Sequence, residues 1–461
     1  MPTTKSSLWP PKFDGKFAML ADSMRGETIG RSEENRPLTA TLMGSPKAHT
    51  RILVMAGQHG DEQTAIRSVK HLVAMNGTQW IAGGNLQIAI LADANPDGAA
   101  RRTRLNAGGI DLNRDHQLLL AAETTVLHGF IRDWLPHLIV DVHNYPPRRK
   151  HLLRQNLIYC QDLFVDIPTN PNLINGPFGR LTQDLLQTVV SAINHSGYRC
   201  ERYTLINSSG RVRHSTPNVN DARNSLALRY GIPTVLLEGR QPTRRDRPAM
   251  RERLQTALQT AIFVILTWAE GNHERLKAAK IPIESAVLHS RYLTDAHGRK
   301  LAFKVLPSGN IHRVALPGKY TPHLKVTQQV DLPHAYAVPA ALTNLCNILI
   351  RHGLSYHMAN RGESVPIQSY QLTAVEPSRR PNRMPRRLTI ERVEEKRSLD
   401  NYFIFPVTPG VGAALAVFLE PQSKYGLHRY SETGLTLTSN TVYPVLRIIQ
   451  ENSCRDNSWR F

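Results

Sequence analysis

Short apolar runs alternate with longer segments of helical periodicity over the first 270 residues of the chain. The runs, which predict buried strands, lie at residues 51–57, 86–93, 137–142 and 233–238. The segments with apolar residues on one helical face lie at residues 62–75, 118–135, 180–194 and 251–271. Because strands that alternate with helices form sheets covered by helices, this pattern predicts an α/β fold.

After about residue 280 the apolar runs become shorter and are broken by proline and glycine. They predict strands at "IESAVLHS" (283–290), "YAVPA" (336–340), "NYFIFPV" (401–407) and "AALAVFLEP" (413–421). The stretch 376–397 begins rich in proline and arginine, which predicts an exposed loop. A chain of 461 residues exceeds the length at which a single core usually stops growing. We therefore predict two domains, 1–280 and a smaller β-rich domain at 281–461.

Composition agrees with a globular protein, with 41% apolar and 7% aromatic residues. No apolar run approaches the roughly 20 residues that span a bilayer, so we predict no membrane partner. The first 20 residues lack the pattern of a signal peptide, which predicts a cytoplasmic location. The cysteines form no C-x-x-C pair, which argues against a thiolate zinc site; they are Cys160, Cys200, Cys346 and Cys454.

A formal charge of +20 could indicate a nucleic-acid partner, an acidic substrate or only a basic surface. The arginines are scattered along the whole chain, and no basic motif is interleaved with aromatic residues that would stack on bases. Nucleic acid is therefore not the predicted partner, although a non-catalytic basic binding protein remains an alternative. Nothing in the sequence indicates an oligomeric state.

Polar residues cluster where the predicted strands end: His59 and Glu62, the turn 95–98, His143 and Glu238. Ligands of open α/β sheets bind beyond the carboxyl ends of the strands, so these clusters could converge on one crevice. His59 and Glu62 can aim at one point if the glutamate starts a helix. A catalytic zinc takes three protein ligands and keeps one position open, and His143 would complete the set.

The turn at 95–98 leads into an arginine-rich segment that ends at residue 116. A guanidinium binds a carboxylate through two parallel hydrogen bonds, so Asn113 and Arg114 could form a clamp for a substrate carboxylate. A solvated basic loop would have the same sequence pattern. Glu238 ends an apolar strand, where a carboxylate is costly unless it has a partner or a task such as general base.

Five motifs occur in one order: H-x-x-E at 59–62, "NPDG" at 95–98, "DLNR" at 111–114, "DVHNY" at 141–145 and "LLEG" at 236–239. In this order they resemble the M14 zinc carboxypeptidases over about residues 40–270. The resemblance implies a mixed-sheet, zinc carboxypeptidase-like catalytic domain. The second half resembles, less specifically, the extra C-terminal domain of a bacterial subgroup of these peptidases.

Carried over to this chain, the resemblance implies a metallocarboxypeptidase with one zinc ion, whose substrate is a peptide or peptide-like molecule with a free C-terminal carboxylate. The implied zinc ligands are His59, Glu62 and His143, and the implied general base is Glu238. Arg104 is the implied oxyanion group, with Arg101 and Arg102 as rivals. Asn113 and Arg114 would hold the terminal carboxylate of the substrate.

The chain departs from the family where many members have a mobile tyrosine about twenty residues before the glutamate base. Here that interval contains only Tyr230, too close to the strand to be the same residue, whereas Tyr145 matches another family tyrosine and could line the pocket.

Arg223 matches the specificity position about fifteen residues before Glu238, which would favour a C-terminal Glu or Asp. It could equally pair with Asp221 or cap a helix. An aspartoacylase-like amidohydrolase acting on a small N-acyl amino acid is the nearest alternative.

Overall fold

The computed structural model describes residues 24–450, except 82–84, 208–211, 215, 280, 282–283, 296–298, 317–319, 363 and 377–386. The strands of its first part are β1 Met24–Arg31, β2 Pro37–Gly44, β3 Thr50–Ala56, β4 Leu86–Leu91, β5 Leu138–Tyr145, β6 Leu157–Tyr159, β7 Leu163–Asp166, β8 Cys200–Arg202, β9 Leu205–Ile206, β10 Val212–Arg213 and β11 Thr234–Arg240. The helices of this part are α1 Gln63–Ile81, α2 Pro96–Arg101, α3 Ala122–Trp134, α4 Lys150–Leu153, α5 Gly176–His195, α6 Ala222–Tyr230, α7 Pro248–Gly271 and α8 His273–Ala278.

An eight-stranded mixed sheet in the order β1-β2-β4-β3-β5-β11-β7-β8 forms the centre of this part. Its middle strands β4, β3, β5 and β11 are parallel to one another, and β2 and β7 run antiparallel on either side. All residues of β4 and β5 are buried, as expected for strands covered on both faces. The predicted α/β fold is confirmed, and the carboxyl ends of these parallel strands meet at one edge of the sheet.

The four predicted strands and four predicted helices of the first part are present, as β3, β4, β5 and β11 and as α1, α3, α5 and α7. The helices carry a buried apolar face, which in α5 includes Leu181, Leu185, Val189 and Ile193. The sequence pattern missed α6, where buried polar residues such as Asn224 and Ser225 interrupt the apolar stripe. This missed helix lies beside the candidate site.

The second part is rich in strands, as predicted. Its strands are β12 Ser285–Asp295, β13 Arg299–Val305, β14 Ile311–Leu316, β15 Tyr320–Asp331, β16 Ala335–Pro339, β17 His357–Met358, β18 Ser364–Glu376, β19 Arg387–Ser398, β20 Tyr402–Pro406, β21 Thr441–Val442 and β22 Leu446–Ile448. Its helices are α9 Thr343–Arg351 and α10 Gly412–Leu419. The strands expected near 283–290, 336–340 and 401–407 correspond to β12, β16 and β20, apart from the undescribed residue 283.

Two predictions for the second part are wrong. The run 413–421, predicted as a strand, contains helix α10, and every residue of this helix is buried. An apolar run without polar interruptions has no periodicity, so the pattern cannot separate a buried helix from a buried strand. In the predicted loop 376–397, residues 387–397 belong to β19, which pairs antiparallel with β18. Residues 377–386 lie outside the described residues.

The main hydrophobic core includes residues from both halves of the chain. Val140 and Leu237 of the central sheet belong to the same buried cluster as Leu345 of α9 and Phe418 of α10. Strand pairs also cross residue 280, because β6 pairs with β13 and β10 with β15. The division into domains at residue 280 stays a prediction. Among the described residues, no helix combines the length and apolar character needed to cross a membrane.

Candidate active site

The turn that follows β3 brings His59 and Glu62 to the start of α1. Glu62 directly precedes this helix, and its carbonyl oxygen accepts the amide N–H of Ile66 at 3.3 Å. The amide N–H of Glu62 in turn bonds the carbonyl of His59 at 3.2 Å. The predicted position of the glutamate at a helix start is therefore correct.

His143 from β5 completes a compact, buried group with His59 and Glu62. The Nδ1 atom of His59 lies 2.7 Å from Oε1 of Glu62, and Nδ1 of His143 lies 2.9 Å from Oε2. The three side chains offer one ligand atom each, all within 4.8 Å of one another. Two imidazoles and one carboxylate form a donor set that zinc takes in catalytic sites. The structure thus brings together the three predicted metal ligands.

Carboxylates outside this group hold the other nitrogen of each imidazole. His59 Nε2 lies 3.0 Å from Oδ1 of Asp111, and His143 Nε2 lies 3.1 Å from Oδ1 of Asp141. Metal-binding histidines usually donate their second N–H to such an acceptor, which fixes the tautomer and the ring orientation. This arrangement independently fits a metal bound through both Nδ1 atoms. Neither aspartate was predicted as a site residue from the sequence, although they belong to the motifs "DLNR" and "DVHNY".

The charges of these groups support one another. Burial alone would raise the pKa of Glu62, but His143 and His59 lower it to about 2. Burial alone would lower the pKa of His143, but the carboxylates of Asp141 and Glu62 raise it well above its usual value. Opposite shifts of this kind arise when neighbouring groups stabilise each other's charged forms. Glu62 therefore stays ionised at neutral pH, as a carboxylate ligand of a metal ion requires.

Asn144 and Gly60 fix the start of α1 in place. The amide N–H of Asn144 donates to Glu62 Oε2 at 2.9 Å, and its Oδ1 accepts the N–H of Ala65. Gly60 packs so closely on α2 that an added Cβ would lie 2.0 Å from the carbonyl carbon of Gly98. Neither residue was identified from the sequence, because each acts through backbone contacts.

Glu238 lies on β11 directly beside His143, since the two residues are register partners of neighbouring parallel strands. Burial raises the pKa of its carboxyl group to about 7; His143 opposes this shift and Glu62 adds to it. Among the described residues, the Glu238 carboxylate has no hydrogen-bond partner. A carboxylate with these properties can exchange a proton near neutral pH.

Of the three arginines considered from the sequence, Arg104 is the one that reaches the group. Its Nη1 lies 3.3 Å from His59 Nδ1 and 4.0 Å from Glu62 Oε1, and its Nη2 donates to Asp111 at 2.9 Å. Arg101 instead forms a surface ion pair with Glu34. Arg102 ends α2 with an exposed side chain and left-handed backbone.

Asn113 and Arg114 lie on a 3-10 turn, Leu112–Arg114, at the edge of the group. Asn113 Nδ2 lies 3.2 Å from His143 Nε2, and its Oδ1 accepts the amide N–H of Ala222 at the start of α6. The side chain of Arg114 is exposed, and its described hydrogen bond goes to the carbonyl of Asn113. The missed helix α6 therefore helps to orient the predicted clamp.

Tyr145 and Arg223 are already occupied by protein partners. The hydroxyl of Tyr145 donates to the carbonyl of Gln161, and its ring packs on Phe164 at 4.8 Å. The guanidinium of Arg223 is buried and pairs with Asp166 at 2.8 Å and with Asp221 at 3.3 Å. The pairing with Asp221 is the alternative that the sequence left open.

Tyr203 is an aromatic residue near the site that the sequence analysis did not identify. Its ring lies against Phe164, with centroids 5.6 Å apart. Burial raises the pKa of its hydroxyl well above the usual value, and the negative charge of Glu238 adds to this rise. It lies outside the family motifs, so no sequence signal identified it.

Part of the chain is similar to known carboxypeptidases. A family model described as zinc carboxypeptidase, Peptidase_M14, matches residues 16–128. Carboxypeptidase 2 of Trichophyton tonsurans is 25% identical over 215 residues, 43% of this chain and 40% of that protein. Carboxypeptidase 2 of Trichophyton rubrum is 25% identical over 187 residues, 39% of this chain and 35% of that protein. The chain thus spans about two fifths of the length of these relatives.

Among solved structures, the metallo-carboxypeptidase of Burkholderia cenocepacia has a TM-score of 0.41 at 17% identity, covering 54% of this chain and 66% of that one. Over residues 16–128, this chain is similar to the zinc carboxypeptidases of the M14 family.

Proposed function

We propose that this chain is a zinc-dependent metallocarboxypeptidase that removes the C-terminal residue of a peptide or peptide-like substrate. The observation that carries this proposal is the buried group His59, Glu62 and His143 with Glu238 beside it on the neighbouring strand. Three ligands of this kind hold one zinc ion per chain and leave a position for water or substrate.

When bound there, zinc lowers the pKa of a coordinated water to about 7 and polarises a carbonyl oxygen. Glu238 is the proton acceptor for the attacking water, because its carboxylate has no hydrogen-bond partner among the described residues and burial raises its pKa to about 7. The same carboxyl group then passes the proton to the leaving amine. Asp111 and Asp141 hold the Nε2 atoms of His59 and His143, which would leave the two Nδ1 atoms available to bind the metal.

Arg104 stabilises the negative charge that develops on the carbonyl oxygen, since its Nη1 faces the ligand atoms of His59 and Glu62. Arg114 binds the terminal carboxylate of the substrate through its exposed guanidinium, and Asn113 assists it. Such a carboxylate requirement makes the enzyme an exopeptidase.

We further propose that the enzyme prefers substrates with an acidic C-terminal residue, because Arg223 occupies the position that matches the specificity residue of the family. A substrate carboxylate would compete there with Asp166 and Asp221 for the guanidinium. The variant Asp221→Asn removes one competing charge. It should therefore raise the rate for Glu-ended relative to Leu-ended peptides, whereas an unchanged ratio would separate Arg223 from specificity.

The proposed activity is tested by incubating zinc-loaded protein with peptides that differ only in their C-terminal residue and following the products by mass spectrometry. Loss of one terminal residue is expected from the wild type. Glu238→Gln should reduce kcat by about 10²–10⁴ while retaining zinc. Glu432→Gln, a change at an exposed carboxylate in the second part, is the matched control and should retain full activity.

The alternatives give different results in the same experiment. Release of the acyl group from N-acyl amino acids, with every peptide left intact, would identify an aspartoacylase-like amidohydrolase. Salt-sensitive binding to nucleic acid without hydrolysis would identify a basic binding protein. A cytoplasmic location and a separate C-terminal domain at 281–461 remain parts of the proposal that cell fractionation and dissection of the chain can test.

A further inference from the structure

A run of buried hydrogen bonds begins behind the metal-binding face of His143 and leads away from the site. Asp141 Oδ1, which holds His143 Nε2, also accepts Nε2–H of Gln58 at 2.8 Å. The other end of the Gln58 amide, Oε1, lies 2.7 Å from Nε2 of His116. All four side chains are at most 1% exposed. Gln58 thus links the carboxylate to a histidine that the proposed reaction does not use.

The run continues through α3 to the end of α6. His116 Nδ1 lies 3.1 Å from Nε2 of His128, and His128 Nδ1 lies 3.0 Å from the hydroxyl of Tyr230. His128 is fully buried on α3. One continuous path of five hydrogen bonds therefore connects Tyr230 with His143.

The donor and the acceptor of each hydrogen bond along this path can be assigned, starting from His143. A metal-bound Nδ1 leaves the proton of neutral His143 on Nε2, which donates to Asp141. The carboxylate accepts only, so Gln58 must turn its amino group toward Asp141 and its oxygen toward His116. His116 then donates from Nε2 and accepts at Nδ1 from His128. His128 in turn accepts at Nδ1 from the hydroxyl of Tyr230.

The assignment requires neutral imidazoles with one proton each, and their surroundings supply that condition. Burial lowers the pKa of His116 to about 4 and that of His128 well below its usual value. Among the described groups around His128, Arg132, Arg229, His116 and His352 further disfavour a positive charge. A neutral histidine with a fixed donor and a fixed acceptor has a single tautomer.

The second half of the chain covers the far end of this path. The ring of His352 packs edge-on against His128, with centroids 5.4 Å apart, and its Nε2 lies 3.0 Å from the carbonyl of Gln117. Arg229 donates to the carbonyl of His352 at 2.8 and 3.0 Å. His116, His128 and His352 are all fully buried, so His116 and His128 have each other as hydrogen-bond partners.

We propose that Gln58, His116, His128 and Tyr230 are positioning residues that fix the orientation of Asp141 and, through it, the ring of His143 toward the metal. The proposal rests on the zinc site of the proposed function. It extends that site by four further groups beyond the aspartate, into the part of the molecule covered by His352.

The first test is zinc affinity, measured on the full chain by competition with a chelating indicator. His116→Leu removes both hydrogen bonds of the ring and should weaken zinc binding by about 10–100-fold. His116→Gln keeps a donor that can reach Gln58 and should restore most of the affinity. His428→Leu is the matched control, because His428 is equally buried but packs on Tyr443 in the second half.

The second test separates a connected path from general loss of stability. Tyr230→Phe removes only the hydroxyl at the end of the path and should weaken zinc binding several-fold. In the His116→Leu background this effect should disappear, because the path is already broken. An equal effect of Tyr230→Phe in both backgrounds would overturn the proposal. So would a zinc Kd of His116→Leu within twofold of the wild type, or an equal loss in His428→Leu.

Imidazole nitrogen spectra of histidine-labelled protein give a readout that needs no activity. His116 and His128 should both appear as neutral Nε2–H tautomers, with or without zinc. Failure of the wild type to bind zinc would contradict the proposed function, and these spectra would still test the path. An Nδ1–H tautomer at either histidine would overturn it.

Discussion

At the scale of single residues, alternation along β5 directs Asp141, His143 and Tyr145 to one face of the strand. Their environments nevertheless differ. His143 faces Glu62, Asp141 holds the far side of the His143 ring, and Tyr145 packs among aromatic rings. Spacing of two residues in a strand therefore suffices to put a supporting carboxylate behind a metal-binding imidazole.

Arg104 gives the sharpest prediction at this scale. Arg104→Ala should lower kcat/KM for peptides by about 10²–10³, because a donor to the developing oxyanion is lost. Zinc affinity should change little, since the three ligands and both supporting aspartates remain. Steady-state kinetics on one peptide, with zinc content measured in parallel, checks both parts.

Arg101→Ala is the matched control for this arginine. Its side chain lies on the surface in an ion pair with Glu34, and such pairs contribute little to stability. Its activity should equal that of the wild type. A large loss in Arg101→Ala together with none in Arg104→Ala would assign the oxyanion to the other arginine.

Much of the candidate site could be predicted from the sequence, because motif residues at strand ends have few alternative places. His59, Glu62 and His143 meet as expected, and Glu238 lies beside them. The contacts of Gln58 and Tyr203 could not be predicted, because they depend on how distant segments pack. Arg223 shows the same limit, since its pairing with Asp166 requires knowledge of β7.

At the scale of elements, apolar periodicity predicted the secondary structure correctly where one face of an element is polar. It failed where no face is polar. Helices α1, α3, α5 and α7 were predicted from their apolar stripes. Helix α10 is buried on all sides, so its sequence shows no stripe, although its three alanines favour a helix over a strand. Strand β19 was predicted as loop because charged residues mask its alternation, and its pairing with β18 depends on tertiary contacts.

The turn between β3 and α1 gives the prediction for this scale. In Gly60→Ala, the new methyl carbon would lie 2.0 Å from the carbonyl carbon of Gly98 and 2.2 Å from the amide nitrogen of Ala99. Both distances are far shorter than a van der Waals contact. The turn must therefore move away from α2, which displaces His59 and Glu62. We expect a loss of about 1–3 kcal/mol in stability and at least roughly tenfold weaker zinc binding.

Gly129→Ala is the matched control on α3. The nearest atom to its added methyl group would be Nη2 of Arg132 at 3.8 Å, an ordinary contact. Alanine in a helix is favoured over glycine by about 0.5–1 kcal/mol, so stability should stay equal or rise. Thermal unfolding and chelator competition on both variants make the comparison. Wild-type zinc binding by Gly60→Ala would show that the turn tolerates the shift.

At the scale of the whole molecule, one buried cluster joins the two halves of the chain. A chain truncated after residue 279 would lose Leu345, Leu415 and Phe418 from this cluster. Their loss exposes the apolar surfaces that they cover. The free energy of unfolding should therefore fall by several times the roughly 2–5 kcal/mol that a single large-to-small core substitution costs. We therefore expect the truncated chain to lack a cooperative unfolding transition by circular dichroism. Cooperative unfolding with retained zinc binding would instead establish residue 280 as a domain boundary.

Buried neutral histidines link the stability of the whole molecule to pH. Burial lowers the pKa of His428 to about 3, whereas an unfolded chain has a value near 6.5. Between about pH 6.5 and pH 3 the unfolded state therefore binds a proton at this site that the folded state does not bind. The contribution of neutral His428 to stability is complete above pH 6.5 and is lost progressively as the pH falls.

His428→Leu isolates this contribution from the other titrating groups. The free energy of unfolding of the wild type should fall relative to that of the variant by about 1.4 kcal/mol per pH unit below pH 6. Urea unfolding of the zinc-loaded proteins at pH 7, 6 and 5 measures the difference. Leu427→Ala, a buried neighbour without a titrating group, should shift stability by the same amount at each pH. Parallel curves for the wild type and His428→Leu would mean that the folded protein and the unfolded chain bind a proton at His428 over the same pH range.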